Sequence, residues 1–190
     1  MSATKPKPDR LHYTGNDEAD ALIARDPFAL LVGFALDQQV PVQTAFSGPL
    51  KLKQRLGTLE PGAIAATDPG RLEAVFRKKP AIHRFPGSMA TRVHDLAAVV
   101  AEDYGGDAER VWREAADGTD LRTRLSALPG FGEMKVKALS AVLFKRFGVR
   151  AAVELAPSHP TLGDVDSPEA LEAYQAKKRA YKASMRAAGR

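Results

Sequence analysis

Cysteine is absent from the 190 residues. That excludes disulfides, thiolate metal sites and cysteine-ligated iron–sulfur clusters. Aromatic residues make up only 7% of the chain and include a single tryptophan. No apolar run approaches the roughly 20 residues of a membrane-spanning helix. The most apolar stretch, Phe28 to Leu36, is far shorter. The first ten residues are polar and basic, without the apolar core of a signal peptide. Period-two alternation is missing over any useful length, and no internal repeat is found. The chain therefore reads as all-α, with about ten helices. His12, His83, His94 and His159 are widely separated and match no metal-ligand spacing. There is no glycine-rich nucleotide loop and no serine elbow. The expected compartment is the cytoplasm.

What is present is a chain that is 44% hydrophobic, enough for one compact domain or two small lobes that share a core. The net charge is +5 with a pI near 9.5. From Leu171 to Arg190 there are six Lys or Arg against Glu172 alone, so this segment carries as much net charge as the whole chain. Such a tail suits a polyanion, and a solvated basic helix explains it equally well.

Residues 1–15 hold two Lys-Pro pairs without periodicity and are expected to form a flexible leader. Asn16 or Asp17 caps a short helix through Ala24. Asp26 caps the next, with Pro27 at its first position. Phe28 to Leu36 is apolar almost all round, which predicts a helix central to the core. Gln38 and Gln39 follow. Amides are costly to bury unbonded, so at least one should reach a surface or a partner. Pro41 opens a helix through Phe46, and Pro49 begins a segment carrying Lys51, Lys53 and Arg55. Short helices are expected over 58–67 and 68–79, then a longer one from Ser88 to Tyr104. Trp112 reads as a core anchor in a helix from Asp107 to Ala116. An exposed linker over 155–166 leads to a last helix capped by Asp166 or Ser167. Leu171, Tyr174, Tyr181 and Met185 supply its packing face, set to pack with the N-terminal helix.

The most informative stretch is Leu128-Pro129-Gly130-Phe131-Gly132. Leu121, Leu125 and Leu128 precede it, and Val136, Leu139, Val142 and Leu143 follow, two amphipathic stripes at helical spacing. Pro129 stops the first helix. Gly130 and Gly132 permit a tight reversal and bring bare backbone to the surface. The second helix starts near Glu133 with unpaired N–H groups, beside Lys135 and Lys137, an arrangement suited to a phosphate.

LPGFG followed by a basic amphipathic helix resembles the helix-hairpin-helix motif of the HhH-GPD superfamily of DNA glycosylases. Phe34-Ala35-Leu36-Asp37-Gln38-Gln39-Val40-Pro41-Val42-Gln43-Thr44-Ala45 resembles that superfamily's early helix-turn, which carries a DNA-facing Gln. Together the matches span about Asp26 to Gly148. The resemblance implies a two-lobed helical HhH-GPD-like fold over 16–150, with the hairpin at 121–145 and a linker and basic helix over 151–190. It implies a monomeric base-excision repair protein that binds damaged double-stranded DNA, nucleoid-associated if bacterial, with no membrane partner. It places the chain with those members that lack an iron–sulfur cluster, and it is consistent with a monovalent cation held by hairpin carbonyls.

A glycosylase must extrude a base and stabilise a positive sugar as the base leaves. By resemblance Gln39 fills the gap left by the base; the alternative is that Gln38 and Gln39 bond Asp37 or local backbone. Leu128, Pro129, Gly130, Phe131, Gly132, Met134, Lys135 and Lys137 form the hairpin contact to DNA, with Lys182 and Arg186 adding phosphate contacts from the tail. Where the superfamily has its catalytic Asp, this sequence offers Val153-Glu154. Asp164 and Asp166, in the following linker, are the other candidate carboxylates. Met134 occupies the position of the superfamily's attacking Lys. Lys135, one residue on, is turned by about 100° and is expected to grip phosphate. These departures imply a monofunctional glycosylase without lyase activity, or a catalytically silent DNA-binding module.

Overall fold

The computed structural model describes residues 6–189; the first five residues of the expected leader lie outside them. The described residues are all-helical: α1 (Asp17–Arg25), α2 (Pro27–Leu36), α3 (Val42–Leu56), α4 (Pro61–Ala65), α5 (Pro69–Arg77), α6 (Pro86–Tyr104), α7 (Arg110–Arg113), α8 (Gly118–Ser126), α9 (Glu133–Phe147) and α10 (Pro168–Ala188), with 3-10 turns at Arg150–Ala152 and Leu162–Asp164. Every residue of α2 after Pro27 is buried. The helix is entered by Asp26, whose carboxylate accepts from the amides of Phe28 and Ala29, with Pro27 fixing the first φ. Around it lie α1 and α3 on one side and the long α6 on another; α6 in turn carries α4 and α5. One contiguous apolar cluster runs from Leu11 to Leu171 and joins these layers to the α8–α9 hairpin.

Four expectations are corrected. The leader is ordered well before residue 15. Leu11 and Tyr13 are fully buried; Tyr13 meets Phe46 edge to face at 5.1 Å and donates from its hydroxyl to Leu162 O at 2.8 Å. The buried Asp20 carboxylate accepts from the amides of Tyr13 and Thr14 and the Thr14 hydroxyl. Two lone apolar residues in a polar stretch produce no periodicity, so the pattern alone could not place them. Pro49 does not break a helix either: α3 runs through it. One backbone hydrogen bond is lost there, but Val42, Ala45, Phe46, Pro49 and Leu52 bury one continuous face, and that burial decides the outcome.

The 155–166 linker is not exposed throughout. Thr161, Leu162, Gly163 and Val165 are buried against α9, where a Cβ on Gly163 would sit 2.6 Å from Ala141 O. Finally, α10 does not pack along its length. It sits on the 162–164 turn and on α3, the latter through paired amide bonds between Gln43 and Gln175 at 2.9 and 3.2 Å. Beyond Gln175 every residue to 189 is exposed, including Tyr181 at 65% and Met185 at 56%. Its cap is Ser167, whose hydroxyl accepts from the Ala170 amide.

Candidate nucleic-acid interface

The α8–α9 hairpin folds as its sequence dictates. Leu128 and Phe131 are buried and hold the loop down, with the Phe131 amide donating to Leu128 O at 3.1 Å. Pro129 is half-buried, while Gly130 and Gly132 are exposed. Only Gly130 needs its missing side chain: its φ is +82°, whereas Gly132 has φ −78° and open space where a Cβ would stand. Gly132 is the N-cap of α9 and offers no side-chain cap, so the first amides of α9 are left outward. Glu133 would oppose an anion there, but Lys137 lies 3.0 Å and Arg122 3.8 Å from its carboxylate. Met134 projects into solvent at 86% exposure.

Arg92 of α6 joins this loop to the turn between α2 and α3. Its side chain lies where a Cβ on Gly130 would be, 2.5 Å away at Cδ, and its Nη1 donates to Gln38 Oε1. Gln38 and Gly130, far apart in the chain, are thus bridged by one guanidinium. The sequence carried no signal for Arg92, because a lone Arg on an amphipathic helix looks like any solvated cation.

The turn itself is held by His83. The Phe85 amide donates to Nδ1 at 3.0 Å, so the proton sits on Nε2, which donates to Leu36 O and Gln38 O, both at 3.1 Å. This fixes a neutral tautomer, and burial pushes the imidazole below its ordinary value of 6.5. A second proton on Nδ1 would face the Phe85 N–H. The stability His83 contributes is therefore complete above pH 6.5 and is lost as pH falls from there through the depressed value. Acid titration followed by circular dichroism should show wild type losing stability below pH 6.5 and a His83→Asn variant losing less over the same interval; parallel curves would remove His83 from the pH response.

Within the turn Gln39 has φ +56°, the one positive-φ residue other than glycine among the described residues. A bulky side chain held left-handed costs on the order of 1 kcal/mol and needs its surroundings to enforce it. Gln39 is exposed and its amide makes no hydrogen bond among the described residues. The alternative in which both amides cap the helix end therefore fails for Gln39, and Gln38 is taken by Arg92.

Lys135 does not point at solvent. Its Nζ donates to Ala35 O at 3.1 Å, at the end of α2, and burial, with Arg92 nearby, lowers it to about 8, partly offset by Asp37. The expected phosphate grip is replaced by an internal clamp between α9 and α2. Asp37 is half-buried beside it. Burial raises its carboxyl, and Lys178 and Lys135 act in the other direction. Lys178, whose Nζ lies 5.8 Å from the Tyr174 ring, thereby places the start of the free part of α10 at the same face. Lys182 and Arg186 lie one and two turns further along it, fully in solvent. Arg55 is withdrawn from any such role: its guanidinium donates to Val75 O, Lys78 O and Pro80 O.

The three carboxylates expected from position do not join this cluster. Glu154 is exposed and lies against Gly118, the first residue of α8. That is the opposite end of the hairpin from LPGFG, separated by the 15 residues of α9, about 22 Å. Asp164 is structural: it closes a capping box with Thr161 and accepts twice from Lys145 at 2.8 Å. Burial works against its charge, but the Lys145 and Thr161 hydrogen bonds outweigh this and hold the carboxyl below its usual range. Asp166 is exposed, without a side-chain hydrogen bond or ion pair among the described residues. No cluster of three His, Asp or Glu placed to hold a metal ion occurs among the described residues, and none of their helices is long and apolar enough to cross a membrane. Comparison with protein-family models, with curated proteins and with solved structures found no match to this chain.

Proposed function

We propose that this chain binds duplex DNA across the hairpin, the 37–40 turn and the free end of α10, and acts on an extruded base as a monofunctional glycosylase of the helix-hairpin-helix class. The observation that carries this reading is the Arg92 bridge, which brings Gln38 and Gly130 to one face although 92 positions separate them in the chain. The geometry supports the following division of labour. The uncapped start of α9 and Lys137 meet phosphate and fix register without reading sequence. Gln39, strained and unpartnered, is poised to occupy the gap left by a flipped base. Asp37 is the carboxylate that sits at the turn and stabilises the positive sugar, the role first assigned to Glu154. Lys135 donates inward and Met134 has no amine, so neither attacks the sugar, and no β-elimination is expected.

A panel of duplexes, each with one damaged or mispaired base, tests the reading directly: release of a free base from one of them supports it. Duplex binding with no release from any supports instead a catalytically silent DNA-binding module, the reading favoured by the remote position of Glu154.

The free end of α10 gives a separate expectation. Each phosphate contact adds about 0.9 to the slope of log affinity against log salt. Reversing Lys182 and Arg186 to Glu should lower that slope by about one to two on any duplex. An unchanged slope confines the footprint to the hairpin and the turn.

A further inference from the structure

At the other end of α2 and α9 is a cavity of about 310 Å³, bordered by Arg25, Leu30, Trp112, Phe147 and Arg150 among others. Its volume falls at the lower end of small-ligand pockets, too small for a duplex. The wall is largely apolar and includes half-buried Phe147 and a margin of Trp112, which is 6% exposed, contacts that suit the edge of a planar ring. The rim is cationic. Lys7 and Arg113 are both committed to Glu109, and Arg113 also donates to Asp107 at 2.7 Å. Arg25 and Arg150 are exposed and form no ion pair or side-chain hydrogen bond among the described residues. Two uncommitted guanidiniums bordering one cavity with aromatic residues in its lining are a complement for a phosphate carried on a planar body, since the planar fork of Arg matches phosphate oxygens two at a time.

We propose that this cavity is a binding site for a small aromatic anion of the nucleoside 5′-monophosphate class, its ring against Trp112 and Phe147 and its phosphate on Arg25 and Arg150. The site is separate from the DNA-facing surface. Ala35 and Leu36, which meet Lys135 and His83, are at the C-terminal end of α2, whereas Leu30 and Pro27 border the cavity at its N-terminal end. The proposal therefore stands whether or not the chain acts on DNA.

Trp112 is the only tryptophan of the chain, so its intrinsic fluorescence reports on this cavity. The full chain is titrated with the four common nucleoside 5′-monophosphates, with the matching nucleosides and with inorganic phosphate. A saturable change with at least one nucleotide, about tenfold weaker with its nucleoside and with phosphate alone, is the expected result. Arg25→Glu and Arg150→Glu, singly and together, should weaken nucleotide binding by a similar factor. Both side chains are exposed, and unchanged circular dichroism confirms that each variant folds. The absence of a saturable change up to millimolar nucleotide overturns the proposal. So does equal affinity for nucleoside and nucleotide, equal response to inorganic phosphate, or nucleotide affinity unaltered in the folded double variant.

Discussion

Alanine at Gly130 is expected to weaken binding to every duplex about tenfold or more, while alanine at Gly132 leaves affinity within about twofold. Both changes add one methyl group to the same loop, so the contrast isolates geometry. At Gly130 the new Cβ meets two costs. Left-handed backbone disfavours an L side chain by about 1–2 kcal/mol, and the methyl would stand 2.5 Å from Arg92 Cδ. Arg92 must then move, and its bond to Gln38 moves with it. At Gly132 the backbone is extended and nothing lies within 4 Å. The loss at Gly130 should be the same for damaged and undamaged duplexes, because the proposed hairpin contacts go to phosphate. Electrophoretic mobility or fluorescence anisotropy measures it. Equal affinity of the two variants would show that the hairpin is not the anchor.

Asp37→Asn is expected to lower base release by on the order of 10²–10³-fold while duplex affinity holds, and Glu154→Gln should change neither. The amide keeps the shape of the carboxylate and removes the charge that would stabilise the departing sugar. Retained affinity is part of the expectation, since Asp37 opposes phosphate and its loss removes a repulsion. The measurement is single-turnover release on whichever duplex the panel identifies. Full activity in the Asn variant, with loss in the Gln variant, would return the chemistry to Glu154 and require the far end of the hairpin to reach the bound strand. A partner effect is expected at Lys135, whose burial cost is offset in part by Asp37. The amine is held below its ordinary 10.5, at about 8. Its lowered value makes the folded state less favourable as pH falls from 10.5 through 8, and removing Asp37 deepens that loss.

The helices with strong punctuation could be read from the chain. Asp26-Pro27, Asp68-Pro69 and the LPGFG turn each combine a cap or a breaker with an apolar stripe, and α2, α5 and the α8–α9 hairpin appear where these place them. What escaped were contacts that depend on how helices cross. Arg92 is significant only because α6 passes the hairpin, and His83 only because its loop lies against the end of α2. Asp37 was visible as a residue beside two glutamines, but its half-buried position between two cations is a tertiary fact. Glu154 shows the reverse case, a position legible in sequence whose place in the fold was not. Counting from the hairpin located a carboxylate in sequence, whereas α9 carries the chain away from the loop before that carboxylate arrives. Tyr181 and Met185 had the spacing of a packing face and found nothing to pack on.

That unpacked end has a kinetic consequence. Fourteen residues at the end of α10, 176–189, are all exposed. A helical segment of this length without tertiary support is marginal in water, so it opens from its free end many times for each opening of α2. In solution the arm is therefore expected to behave as a fluctuating, cation-bearing tether rather than a rod. If the chain binds a duplex as proposed, the arm's capture radius would exceed that of the folded body, so first encounter would be governed by the arm and lodging by the hairpin. Ordering the arm on a duplex would cost conformational entropy, and on the proposed reading it would divide binding into a fast, salt-sensitive approach and a slower, shape-dependent seating.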